Sequence, residues 1–160
     1  MAWASVTWQR SRPEGENPSS LMPGIQDAMP EHAPRVRDEA GLSAGLEKLS
    51  GLKIRAEACG TGGGTSRAFN PGWHTAYDLR SLVVNAEALL RSALMRKESR
   101  GAHARSDYPS SDDQLAAVNY IVEKGSGDMQ VRPEARTPMP GYLADAVQRS
   151  YARYTPEETE

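Results

Sequence analysis

The densest run of chemically capable side chains is Arg96-Lys97-Glu98-Ser99-Arg100-Gly101-Ala102-His103-Ala104-Arg105-Ser106-Asp107. Its guanidinium groups suit bidentate contacts to carboxylate or phosphate, and His103 titrates near neutrality. A catalytic reading makes His103 a general acid with Asp107 as its orienter. No nucleophile, metal set or cofactor loop lies nearby in the sequence, and a working site needs such parts together. Arg100, Arg105 and Asp107 are therefore expected to pair with buried charges and helix-end groups, fixing a transition from helix to loop. A second reading takes the basic stretch from Arg91 to Arg105 as the surface of a stand-alone binding module for an anionic partner. Charge runs are more often solvated faces.

The remaining candidates are weaker. His74, next to Trp73, sits where a long helix begins and suits a cap or packing role. His32, His74 and His103 share no ligand spacing, so no metal residues are assigned. Cys59 is the single cysteine, which excludes an intrachain disulfide and reads as an ordinary thiol. Gly60-Thr61-Gly62-Gly63-Gly64 lacks the Lys-Ser/Thr ending of a Walker loop and the preceding strand of a dinucleotide loop. It is expected to be a flexible connector. Asp112-Asp113 and Glu157-Glu158 read as a helix start and a solvated tail rather than a glycosidase pair. No catalytic or cofactor-binding residue is assigned to this chain.

The element that must position the basic run is a helix expected from about Trp73 to about Glu98, after the turn Asn70-Pro71-Gly72. Leu79, Leu82, Val83, Ala86, Leu89, Leu90, Ala93 and Leu94 follow the helical apolar period. Asp78, Arg80, Glu87 and Arg91 fall mainly off that stripe, with Glu87 and Arg91 spaced for an i, i+4 ion pair. Arg96 and Lys97 suit the negative helix end, and Gly101 suits a terminator. A preceding helix capped by Asp38 presents Leu42, Leu46, Leu49 and Leu52, with Ile54 extending the apolar face. Gly41, Gly45 and Gly51 each weaken it by roughly 1 kcal/mol if interior. A shorter helix from Ser19 to Met29 carries Leu21, Ile25 and Met29, with Pro23 in its first turn and Pro30 and Pro34 ending it.

Beyond the basic run, Ser110 to Asp113 offers caps. Val118, Tyr120 and Val122 alternate, Gly125 to Asp128 forms a turn, and Met129 and Val131 alternate again, which predicts a hairpin. Pro133, Pro138 and Pro140 predict an extended connector. A tail helix from about Tyr142 to Tyr154 then places Leu143, Ala146, Val147 and Tyr151 on one side. The fold class is mainly α: a three-helix bundle-like domain with a small C-terminal β-hairpin and tail helix. Residues 1–18 are expected to be loosely ordered, 19–133 to form the helical domain with its hairpin, and 134–160 to hold the connector, short helix and acidic tail.

The composition suits a domain that folds against a larger partner, or one with long loops. The 19 Lys and Arg against 21 Asp and Glu nearly cancel, which gives no basis for nucleic acid as the main partner. Hydrophobic residues at 38%, one Phe and a mean hydropathy of -0.63 are lean for a self-sufficient core. No secretory h-region and no membrane-length apolar stretch is present, so a cytoplasmic chain without direct membrane insertion is expected.

Taken together, Asn70-Pro71-Gly72-Trp73-His74, Asp78-Leu79-Arg80, and Glu98-Ser99-Arg100-Gly101-Ala102-His103 with Arg105, Asp107 and Pro109 are familiar. They resemble the C-terminal helical region of succinate dehydrogenase and fumarate reductase flavoprotein subunits, a family that includes L-aspartate oxidase. Val36-Arg37-Asp38-Glu39, leading into the Leu42 to Leu52 face, is similar to the family's preceding helix. The resemblance implies a helical bundle packed on a flavin-binding domain or subunit, with an iron–sulfur subunit accepting electrons. FAD belongs to the parent enzyme and is not bound by this chain alone. It also implies placement at the inner face of the membrane through partner subunits. Trp73, His74, Arg80, Glu98, Arg100, His103, Arg105 and Asp107 become structural or interface candidates.

Overall fold

The computed structural model describes residues 14–62, 66 and 69–154, the last four by backbone only. Three helices, α1 (Pro18–His32), α2 (Glu39–Ala58) and α3 (Pro71–Met95), pack against one another. A two-residue strand β1 (Val36–Arg37) pairs in parallel with β2 (Ala104–Arg105). A short helix α4 (Asp113–Ala116) leads into the antiparallel hairpin of β3 (Val118–Lys124) and β4 (Met129–Ala135), and α5 (Gly141–Tyr154) follows. The mainly helical architecture with hairpin and tail helix is as expected. Of the N-terminal segment, residues 1–13 lie outside the described residues, as do 155–160 of the acidic tail.

Helix α1 is longer than its prolines suggested. Asn17 caps it by accepting from the Ser19 amide at 2.9 Å, and Pro18 occupies the first turn, where its missing N–H costs nothing. Pro23 lies beyond that first turn and Pro30 does not end the helix, which runs to His32 before Pro34. Each proline forfeits one internal hydrogen bond. Burial of Leu21, Ile25 and Ala28 on the inner face compensates. Tertiary packing overrides the local penalty.

Helix α2 starts where Asp38 accepts from the Gly41 amide at 2.7 Å. Leu42, Leu49 and Leu52 are buried and Leu46 packs at their margin. Ile54 does not extend this face; it is 68% exposed. In α3 the buried set is Ala76, Leu79, Val83, Ala86, Leu90 and Ala93, while Leu89, placed on the stripe by its spacing, is exposed. Glu87, expected off the stripe, is buried instead and is held by ions described below.

The connector after α2 is packed rather than loose in its described part. Thr61 is 2% exposed, and the Gly60 amide donates to the Glu16 carbonyl at 3.1 Å. A Cβ on Gly72 would stand 1.8 Å from the Thr61 carbonyl oxygen, so only glycine fits where the connector crosses the start of α3. Gly63 and Gly64 lie outside the described residues.

The hairpin forms where the alternation predicts it, and its turn closes with the Gly125 amide donating to the Asp128 carbonyl at 2.9 Å. Pro133, expected in the connector, lies inside β4 opposite Tyr120. Arg136 donates to the Ala117 carbonyl, and hydrogen-bonded pairs alternate along an antiparallel ladder. Tyr120 and Pro133 are therefore a non-bonded pair, with the proline nitrogen turned to the outer edge. No ladder bond is lost there.

Two glycines of α2 are separable by experiment. A Cβ on Gly45 would lie 2.7 Å from His32 Cβ and 3.2 Å from Leu90 Cδ2, at the crossing of all three helices, whereas Gly51 has nothing within 4 Å. Gly51→Ala is expected to raise stability by up to about 1 kcal/mol. Gly45→Ala is expected to lower it by about 1–2 kcal/mol, overpacking outweighing the gain in helix propensity. Urea unfolding of both variants checks the opposite signs.

Candidate functional site

Helix α3 ends at Met95, and its last turn leaves four carbonyl groups without internal partners. The Ala93 carbonyl accepts from Arg105 Nη1 at 2.8 Å, and the Leu94 carbonyl lies 3.5 Å from the same nitrogen. Met95 accepts from the Tyr120 hydroxyl at 3.3 Å, and Arg96 from His103 Nε2 at 3.1 Å. Gly101 does not terminate the helix. It takes φ 58° in the tight turn where Arg100 and His103 exchange backbone hydrogen bonds.

Arg105 is 1% exposed. Its Nε and Nη2 donate to the two oxygens of Asp107 at 2.7 and 2.6 Å, a bidentate pair. One of those oxygens also accepts from the Glu39 amide at 3.0 Å, the first residue of α2. One guanidinium thus joins the carbonyl end of α3, through Asp107, to the amide end of α2. Both helix dipoles are matched by charges of the favourable sign. The β1–β2 pairing, extended by the Ser106 amide donating to the Arg37 carbonyl at 2.8 Å, holds the two segments in register. Hydrogen bonding to Arg105, reinforced by the Glu39 amide, holds the Asp107 carboxyl down to about 2.

Glu98 is fully buried. It accepts from Arg100 Nε at 3.1 and 3.2 Å, from Arg96 Nη1, and from the Asp112 amide at 2.8 Å. The Arg100 bond leads in holding its carboxyl down to about 2, against the opposing effect of burial. Arg96 also donates to the carbonyls of Leu115 and Val118 and stacks over Tyr120 at 4.7 Å. Arg96 and Arg100 thus share one buried carboxylate, while Arg105 has Asp107 to itself.

His103 does not contact Asp107, so the catalytic pairing is not assembled. Its Nδ1 lies 3.1 Å from Arg37 Nη1, which can only donate, and its Nε2 faces a carbonyl, which can only accept. The ring is therefore neutral with the proton on Nε2. Burial pushes its pKa below 6.5, helped by the positive charges of Arg37, Arg105 and Arg96. Trp73 and His74 stack at 3.6 Å near the other end of α3, apart from this cluster, with His74 exposed. Arg80 is half-buried on α3 and its charge opposes the upward push that burial gives the Cys59 thiol. Arg37, Tyr108 and Tyr120 complete the cluster, and spacing does not place them in it. Arg37 lies 66 positions from His103, and no local pattern connects them. Among the described residues no group of three or more His, Cys, Asp or Glu is arranged for a metal ion.

Titration should proceed in two stages. His103, Glu98 and Asp107 all have folded pKa values below their ordinary ones, so the unfolded chain binds more protons and acid destabilises. The melting temperature is expected to fall first below pH 6.5, and more steeply between pH 4.5 and about 2. His103→Gln should remove the first stage and spare the second. Arg105→Met is expected to cost roughly 3 kcal/mol or more by stranding Asp107 and the Ala93 carbonyl. Calorimetric melting across pH measures all three outcomes.

Residues 23–154 match the family described as fumarate reductase flavoprotein C-term. The succinate dehydrogenase flavoprotein subunit of Coxiella burnetii is 39% identical over 118 residues, covering 74% of this chain and 20% of that protein. The L-aspartate oxidase of Pyrococcus furiosus is 32% identical over 119 residues, covering 69% of this chain and 20% of that protein. The structure of Mycobacterium smegmatis Sdh1 in complex with UQ1 aligns with a TM-score of 0.80 at 32% identity, over 98% of this chain and 28% of that chain. The chain spans about a fifth of the length of these curated relatives. On this extent of match and this shared fold, the chain belongs to the C-terminal domain family of succinate dehydrogenase and fumarate reductase flavoproteins.

Proposed function

We propose that this chain is the helical support of an FAD-dependent succinate/fumarate-type oxidoreductase, docking on a flavin-binding domain or subunit and not catalytic alone. The observation that carries the reading is a row of three uncovered apolar side chains on the outer side of α3, interleaved with Ser81 and Arg91. Tyr77, Val84 and Met95 are 43%, 50% and 40% exposed, and spacings of seven and eleven keep them on one side of a helix. The other side of α3 already buries Leu79, Val83 and Leu90 in the bundle. Tyr142, Leu143 and Val147 of α5 add further uncovered apolar surface.

In this reading residues 19–133 form the docking body, and 134–160 form a connector, short helix and tail. Trp73, His74 and Arg80 serve as interface candidates. Glu98, Arg100, His103, Arg105 and Asp107 keep the helix ends rigid, so that the docking face has one shape. FAD is held by the partner. The Gly60 amide, at the described start of the glycine run, is donated to the Glu16 carbonyl and is not available to a pyrophosphate. Substrate chemistry and electron transfer to an iron–sulfur subunit belong to the assembled enzyme. No helix of the described residues is long and apolar enough to cross a membrane. By analogy with the family, the reading places the chain on the cytoplasmic side, peripheral through partner subunits. The anionic-partner alternative is disfavoured because Arg91, Arg96, Arg100 and Arg105 are each paired with a carboxylate of this chain.

Reconstitution tests the proposal. Mixed with a family flavoprotein lacking its C-terminal domain, the chain is expected to form a complex and restore dehydrogenase activity; no complex by gel filtration would overturn the reading. Val84→Glu should abolish the complex while changing the chain's own stability by no more than about 0.5 kcal/mol. Arg100→Ala should lower stability measurably, because Glu98 then keeps Arg96 as its only ion-pair partner.

A further inference from the structure

The hairpin is attached to the bundle at two points of unequal character. At its base, Arg96 donates to the Val118 carbonyl at 2.9 Å, stacks on Tyr120 and is anchored in turn by the buried Glu98. At its tip, Asp128 accepts from Arg91 Nη2 at 2.6 Å and faces Lys53 Nζ at 3.5 Å. No residue of β3 or β4 is fully buried, and Val122 to Lys124 are exposed. A two-stranded ribbon has little stability of its own, so these attachments decide where it lies.

The tip contact is built to release. Beneath Asp128, Glu87 is paired independently with Lys53 at 3.0 Å and with Arg91 at 2.8 Å. Removing Asp128 from this alternating set leaves the buried carboxylate with both of its cations, so no buried charge is stranded. Asp128 itself is more than half exposed, as an ion pair that salt screens must be. The base contacts are to backbone carbonyls and a buried carboxylate, which salt screens far less.

We propose that the hairpin is an ionically latched flap, hinged at Arg96 and released at Asp128 as ionic strength rises. Release uncovers the groove between α2 and α3 lined by Leu46, Leu49, Ser50, Lys53, Glu87 and Arg91. Spin labels on Ser50→Cys and Ser126→Cys, in the full chain carrying Cys59→Ala, measure the tip's distance from α2. One short distance is expected at about 0.1 M salt, and a second, longer population at about 1 M, where the screening length falls from about 10 to about 3 Å. Asp128→Asn should show the longer population already at the lower salt, with helical circular dichroism unchanged. An unchanged distance distribution in both conditions and in Asp128→Asn overturns the proposal. So does loss of helical signal on release, since the ions would then be holding the bundle and not a flap.

Discussion

A single buried cation governs the arrangement of the bundle. Burying a guanidinium is costly unless it is paired and hydrogen-bonded, and Arg105 sets each of its three nitrogens on an acceptor, at the end of one helix or on a carboxylate bound to the start of another. The two helices can therefore adopt only relative positions that keep both contacts. The apolar surfaces of α2 and α3 supply most of the driving force for packing. They are tolerant of sliding; the charge pair is not. Division of labour between greasy faces and one polar clamp gives the domain a defined shape despite its lean composition.

The other ionic contacts extend that arrangement outward. Glu98 gathers Arg96, Arg100 and the Asp112 amide, so the chain leaving α3 is turned and delivered to α4 and the hairpin. His103 fills the remaining carbonyl of the helix end in the one tautomer its neighbours permit. The site that looks most like chemistry in the sequence thus works as joinery. Its residues are occupied with each other, while the outer side of α3 and helix α5 carry uncovered apolar side chains.

Much of this was legible in the sequence because the signals were local. The cap at Asp38, the i, i+4 pair of Glu87 and Arg91, the long apolar stripe of α3 and the hairpin alternation each depend on residues within a few positions of one another. The errors arose where distant segments decide. Glu87 falls off the apolar stripe by spacing, and its burial involves Lys53 from another helix. Gly45 reads as a weakness by propensity, whereas His32 and Leu90 leave no room there for a Cβ. Pro30 read as a stop because its cost is local while the burial that offsets it is not. Leu89 and Ile54 have the right type and nearly the right phase, and the narrow width of the packed face leaves them outside.

The placement of Pro133 carries a consequence for solubility. A short ribbon with two free borders invites a third strand from another molecule, which is a route to aggregation. The proline ring stands at the outer border of β4, where an incoming chain would look for an amide hydrogen, and offers none. One of the two borders is thereby interrupted against sheet growth, at no cost to the pairing with β3.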